Sequence, residues 1–378
     1  MFGIKRISSV TICVPAHNEE STIERTIDSL LNLDYPKNKL KIIVVNDCST
    51  DKTWEVIQKY KDKVELINKT KNPGKAESVN LAIAKCKTEF FGVLDADSIV
   101  DKGALKKSLA YFDDEKVIAV TPGMKIEEPG TFLQKIQYVE YIFGVFLRKV
   151  FAFLDSIHVV PGPFSIYRKW FFDKHGEFDT NNLTEDTEMA MRIQLNHYRI
   201  ENAIDAKVYT KCPKKFGPLL SQRIRWYVGF MKNCIKYKKL FSLKYKILGL
   251  LVLPSSFLSV GLTLFFFFYS IFKIIEFLVD VIRNYFIIGF DLVPLFKSFR
   301  FDLFYLYLGP VFFLSICSTI IFFGMLYIGN KYSDHEEKSV IAYPLFIVFY
   351  SYLFAFWWIL SLFYKLFNIK IRWGVKKL

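Results

Sequence analysis

FFGVLDADSIV, residues 90–100, sets an apolar run that reads as a buried strand against two aspartates, Asp95 and Asp97, separated by one small residue. Apolar runs of this length suit a strand of a parallel sheet, and open α/β sheets bind ligands just beyond the carboxyl ends of their strands. Two carboxylates at such an end call for a cation.

Outward from this stretch, residues 1–130 alternate between β and α patterns. SVTICVPA, LKIIVVND and VELINK read as strands before EFFGVLDAD. EESTIERTIDSLLNL, STDKTWEVIQKYK and AESVNLAIAKCK read as helices between them, the second with Ser49 or Thr50 as its cap. Such alternation predicts a mostly parallel sheet with helices on both faces. Pro15, Glu19 and Glu20 follow the first strand, Asn46 and Asp47 the second, Asp95 and Asp97 the fourth, so one rim of the sheet collects the polar residues. Each has a local alternative: Asp47 as a helix cap, the glutamates as partners of a helix dipole, Asp95 or Asp97 as the start of an Asx turn. A nucleoside diphosphate fits the rim as a whole, because a diphosphate needs a hard cation and carboxylates ligate Mg²⁺ or Mn²⁺. Two other nucleotide signatures fail. KTKNPGKA, residues 69–76, has Lys69 where a P-loop needs glycine and Ala76 where it needs Ser or Thr, and no G-x-G-x-x-G follows the first strand.

The 378 residues are 52% hydrophobic and 17% aromatic, unevenly placed. Up to about residue 240 charged and apolar residues mix. Beyond it, 247–272, 303–330 and 339–364 carry no charge, and each exceeds the ~20 apolar residues that cross a bilayer. The stretch 274–296 is equally apolar but carries Glu276, Asp280, Arg283 and Asp291 near one helical stripe. It reads as an interfacial amphipathic helix or as a fourth span with a polar side.

Between Lys207 and Lys246 there are twelve Lys or Arg and no Asp or Glu, most of the formal +14. This cluster abuts the first apolar stretch, so the positive-inside rule places the N-terminal domain in the cytoplasm. No groove-reading or base-stacking module accompanies it, which argues against nucleic acid. The basic tail NIKIRWGVKKL also favours the cytoplasm and asks for an even number of crossings. The N-terminal apolar runs are too short for a signal peptide, so the domain is expected to start with its first strand. The six cysteines show no metal-ligand spacing and read as reduced thiols.

VPAHNEE, VVNDCSTDKT, NPGKAESVN and LDADS, in that order, resemble the N-terminal domain of family 2 glycosyltransferases, whose nucleotide-sugar-binding fold is called GT-A. LTEDTEMAMRI (183–193) and QRIRW (222–226) extend the resemblance to the membrane-bound branch, which includes cellulose, hyaluronan and poly-N-acetylglucosamine synthases and ceramide glucosyltransferases. It implies a cytoplasmic GT-A domain over residues 1–240, with interfacial helices near 131–155 and 218–240, and a transmembrane region over 241–378. By similarity, Pro15, Ala16, Glu19 and Asp47 would hold the base and ribose of a UDP-sugar, with Lys75 and Asp95 near the nucleotide. Asp97 would ligate Mg²⁺ or Mn²⁺ at the diphosphate. Asp186 would be the general base for an acceptor hydroxyl, with Glu185 beside it; the local alternative is that Thr184 or Asp186 caps the following helix. Gln222, Arg225 and Trp226 share one side of a helix if that segment is helical, Arg225 near the diphosphate and Trp226 as a wall for the acceptor. An interfacial anchor is the alternative for Arg225 and Trp226. VVPGPFSIYRK stands where related polymer synthases often read like FFCGS, a departure that falls on the acceptor side. The acceptor implied is a growing glycan or a membrane lipid, and the narrow set of spans makes a homo-oligomer relevant to any conduit.

Overall fold

The computed structural model describes residues 7–71, 74–288, 309–333, 342–369 and 371. Four strands carry the parallel half: β1 (Val10–Ala16), β2 (Leu40–Asn46), β3 (Glu65–Asn68) and β4 (Phe90–Val93). β1 pairs in parallel with both β2 and β4, and β2 with β3. The crossovers are α1 (Ile23–Leu31), α2 (Thr53–Gln58) and α3 (Lys75–Ala84). Because helices cover both faces, successive β1 residues point into different cores and both are buried. Ile12 and Val14 pack with α1, while Cys13 packs with Val79 and Ile83 of α3.

Four further strands, β5 (Ser98–Val100), β6 (Val117–Ile126), β7 (Ser165–Arg168) and β8 (Arg199–Thr210), complete an eight-stranded sheet of order β3-β2-β1-β4-β7-β6-β8-β5. β7 enters antiparallel between β4 and β6, and β5 pairs antiparallel with β8. The short helices α4 (Ala104–Leu109) and α6 (Lys169–His175) flank the sheet. The sheet is thus mixed but mostly parallel, as the alternation predicts. The fourth strand stops at Val93, so Asp95 and Asp97 stand in the turn beyond its end.

Three elements reach from the sheet toward the apolar region: α5 (Phe132–Phe153), α7 (Glu185–Leu195) and α8 (Phe216–Lys236). Thr131 and Gln134 form a reciprocal capping box at the start of α5. Beyond α8 lie α9 (Leu253–Ile288), α10 (Pro310–Ser333) and α11 (Ala342–Leu366). All three are long and apolar enough to cross a membrane. Ile136, Val139 and Ile142 of α5 pack with Leu326 of α10 and Phe346 of α11, which ties the sheet domain to these helices.

The second tie is ionic. Arg223 of α8 is 2% exposed and makes two hydrogen bonds to the carboxylate of Glu140 on α5, at 2.5 and 2.8 Å. Its guanidinium lies 4.6 Å from the Trp226 ring centre and 5.1 Å from that of Trp357 on α11. Glu140→Ala would leave this buried cation without its carboxylate. Removal of one partner of such a pair costs about 3–5 kcal/mol, so the detergent-solubilised variant should melt well below the parent. An unchanged melting temperature would show that the pair contributes no stability.

Two local expectations are corrected. Ser49 and Thr50 do not cap α2, whose N-cap is Lys52. They are drawn to the neighbouring strand end instead: Ser49 Oγ accepts from Asn18 N (3.1 Å) and Asn18 Oδ1 accepts from Thr50 N (2.8 Å), while Asp51 Oδ1 accepts from Thr53 N (3.0 Å). Residues 274–288 do not begin a separate helix but continue α9 without a break, and 289–296 lie outside the described residues. Charges on this half pair along the helix, Lys273 with Glu276 at 2.7 Å and Arg283 with Asp280 at 3.5 Å. That pairing removes the need for a break.

Candidate active site

The strand ends, α3, α7, α8 and the apolar helices enclose one cavity of about 1360 Å³. Pro15, Ala16 and Glu19 reach it from the end of β1, Asp47 from β2, and Asp95 and Asp97 from β4. Lys75 opens α3, Glu185 and Asp186 open α7, and Gln222, Arg225 and Trp226 follow one side of α8. These twelve residues therefore line the same space. Glu20 and Asn46 do not: Glu20 Oε2 accepts from Lys52 N at 2.9 Å and Asn46 Nδ2 donates to Asn68 Oδ1 at 2.7 Å.

Lys75 joins two of the motifs. Its Nζ donates to Asp95 Oδ1 and lies 3.6 Å from Glu185 Oε1. Burial works against the ammonium charge, but Asp95 and Glu185 overcome it and raise the Lys75 pKa. The loop that departs from the expected pattern closes over this pair: a Cβ on Gly162 would stand 2.5 Å from Lys75 Nζ and 2.9 Å from Asp95 Oδ2. Only glycine lets Val160–Pro163 approach so near. Gly162→Ala should push Lys75 off Asp95 and raise the KM for donor about tenfold, the scale of a lost charged hydrogen bond. An unchanged KM would show that the loop yields instead.

The carboxylates differ in environment. Burial, then the neighbouring Asp95 and Glu19, push the Asp97 carboxyl up to about 7. Burial and the Glu185 charge push Asp186 up to about 6, with Lys75 and Arg225 pulling the other way. Thr184 is the residue before α7, yet its side chain makes no capping bond, and Asp186 Oδ1 accepts from its own neighbour Thr187, from N at 2.7 Å and from Oγ1 at 3.4 Å. The hydroxyl of Thr184 instead accepts from Asn233 Nδ2 of α8 at 3.0 Å. A Cβ on Gly229 would lie 2.5 Å from Thr184 Cγ2, so α8 and the start of α7 are in close contact. Arg225 is tied to the same place through Nη1, which donates to Leu183 O at 3.1 Å.

Among the described residues no group of three His, Cys, Asp or Glu is arranged to hold a metal ion. A cation held by one or two carboxylates, with phosphate oxygens completing its shell, does not need such a group, and Mg²⁺ is often bound in that way. Half-buried Asp97, crowded by Asp95 and Glu19, fits that kind of site.

Several residues in or behind the cavity wall escape the sequence reading. His17 Nδ1 donates to Asp47 O at 2.8 Å, and Lys69 Nζ pairs with Asp47 Oδ1 at 2.7 Å, so the second strand end is held from two sides. Lys69 stands within KTKNPGKA, where the comparison with a P-loop gives it no role. Arg148, Tyr350 and Trp358 line the far part of the cavity, and nothing short of the tertiary fold brings them there.

With this geometry in place, the comparisons with known proteins are informative. Residues 11–176 match the family Glycosyl transferase family 2. The poly-beta-1,6-N-acetyl-D-glucosamine synthase of Staphylococcus aureus (strain COL) is 32% identical over 232 residues, 60% of this chain and 56% of that protein. The enzyme of the same name from Staphylococcus epidermidis is 30% identical over 230 residues, 60% and 55% of the two chains. The chain thus spans little more than half the length of these relatives. Among solved structures, the mannosyltransferase PcManGT from Pyrobaculum calidifontis, in complex with GDP-Man and Mn²⁺, superimposes with a TM-score of 0.54 at 22% identity, covering 62% of this chain and 65% of that one. This likeness establishes the GT-A type of fold, here followed by three long apolar helices.

Proposed function

We propose that the protein is a membrane-embedded, inverting glycosyltransferase that moves a sugar from a UDP-sugar to a growing glycan, as a polysaccharide synthase does. The observation that carries this reading is the single cavity joining the acidic strand ends to an aromatic wall on the apolar helices. Trp226 and Tyr227 of α8 face it with Tyr350, Phe354 and Trp358 of α11, and the Tyr227 and Trp358 rings stack at 4.6 Å. Broad rings with occasional polar tips suit the alternating faces of sugar units. The similarity to poly-beta-1,6-N-acetyl-D-glucosamine synthases supports a glycan product.

In this reading Asp186 accepts the proton of the acceptor hydroxyl as that oxygen attacks the sugar carbon opposite the leaving UDP. Lys75 fixes Asp95 and Glu185 in the pocket, and Arg225 balances charge near the departing diphosphate. A divalent cation held at Asp97, Mg²⁺ or Mn²⁺, would neutralise the diphosphate as it leaves. In this reading the three apolar helices lie in a membrane, and the basic run before α9 supports a cytoplasmic position for the acidic rim.

Product size tests the reading. Protein in lipid, given Mg²⁺ or Mn²⁺ and sugar-labelled UDP-sugars, should yield a high-mass, glycosidase-sensitive product; a single labelled sugar that extracts with lipid would make it a glycolipid transferase instead. A second test is pH. Asp186 works as a carboxylate and its pKa is about 6, so kcat/KM at saturating metal should fall about tenfold per unit as pH drops below that value. A flat profile down to pH 5 would remove Asp186 as the base.

A further inference from the structure

Arg148 is a half-buried cation in the cavity wall that the proposed chemistry does not use. It follows Glu140 and Gly144 along the cavity face of α5, about 12 Å beyond Glu140 at the helical rise. Glu140 answers Arg223. Nothing equivalent answers Arg148: its Nε is buried without a hydrogen-bond partner, and no carboxylate among the described residues forms an ion pair with it. Burial pushes its pKa down to about 10, which leaves it charged at neutral pH.

Its surroundings belong to the entry of the chain into the apolar region. Phe151, one turn along α5, contacts His158; His158 contacts Phe230 of α8, and Phe230 stacks on Phe257 of α9. Ser256 and Ser259 of α9 line the same cavity, but their hydroxyls donate to Val252 O and Ser256 O of their own helix. This corner therefore offers a guanidinium fork, aromatic and aliphatic walls, and the first turns of a candidate membrane span. A guanidinium whose Nε is sealed from water and which has no carboxylate beside it is open to a counter-charge from a ligand, and its planar fork suits phosphate oxygens.

We propose that the Arg148 corner is a subsite for the phosphate of a lipid-borne acceptor, with the guanidinium on the phosphate and the hydrocarbon chain running out along α9. An amphiphile matches both halves of the corner, whereas a free anion matches only the arginine. The inference rests on the transferase reading for its purpose, but its test needs no turnover, so the two can fail separately.

The probe is dodecyl phosphate, titrated into the full-length protein in neutral maltoside micelles and read as a saturable rise in melting temperature. Dodecanol and inorganic phosphate serve as controls. Binding should be at least tenfold weaker in Arg148→Gln, and unchanged in Lys232→Gln, which removes an exposed charge from α8. Arg148→Lys keeps the charge without the fork and should fall between; it carries the test if the glutamine variant does not fold. Equal binding by parent and Arg148 variants would overturn the proposal, as would equal weakening by Lys232→Gln, which would mark diffuse surface attraction. A response to inorganic phosphate or dodecanol as strong as that to dodecyl phosphate would also overturn it. So would an Arg148→Gln variant that loses UDP rather than dodecyl phosphate, because the cation would then serve the donor.

Discussion

Asp186→Asn should lower turnover by about 10²–10⁴-fold, the range that a positioned general base contributes, while UDP still binds. The substitution keeps the size of the side chain and an oxygen that can accept from Thr187 N, so the start of α7 has no reason to move. What it removes is the ability to take a proton. The carboxylate suits proton abstraction because burial and Glu185 raise its basicity, while Lys75 and Arg225 keep it from becoming a permanently protonated acid. Measurement of kcat beside UDP affinity separates the two effects. Full turnover in the variant would rule Asp186 out as base, and loss of UDP binding would instead assign it to the donor pocket.

Metal removal is expected to have an effect of similar size. Exhaustive treatment with EDTA should abolish turnover, and Mn²⁺ or Mg²⁺ should restore it, because a diphosphate leaving beside Asp95, Asp97 and Glu19 meets three carboxylates, one of which already engages Lys75. Asp97→Asn should raise the metal concentration needed for half-maximal rate. Full activity in EDTA would leave the counter-charge to basic side chains of the cavity such as Lys75, Lys211 and Arg225, and would withdraw the assignment of Asp97.

The strand ends were legible in the sequence because short-range physics places them. An apolar run of strand length must be buried, the sheet rim follows from the alternation, and polar residues just after each strand have only that rim to occupy. FFGVLDADSIV was enough to place Asp95 and Asp97. The Glu140–Arg223 pair spans 83 residues of sequence, and neither residue carries a local pattern that announces its partner. The need for Gly162 arises from Lys75, Asp95 and a loop that meet only after β7 has inserted between β4 and β6. The cap expected at Ser49 or Thr50 failed for the converse reason: a neighbouring loop through Asn18 competed successfully for those groups. The charges of 274–288 suggested a new element because composition shows charge but not pairing, and Lys273–Glu276 and Asp280–Arg283 satisfy one another within α9.

The length of α9 has a mechanical consequence. Its 36 residues make a rod of about 54 Å, whereas the hydrocarbon layer is about 30 Å thick. Even a lean of about 40°, the upper end of what membrane helices adopt, leaves about 41 Å of rise, so the rod must carry its ion-paired portion into the headgroup layer. The apolar side chains that portion still exposes, Phe277, Ile282 and Phe286 among them, resist standing free in water and favour the leaning posture. With α9 in a bilayer, its thickness sets the angle of a lever whose near end, through Ser256 and Ser259, lines the cavity, and lipids of different chain length would reshape that cavity without touching the acidic rim.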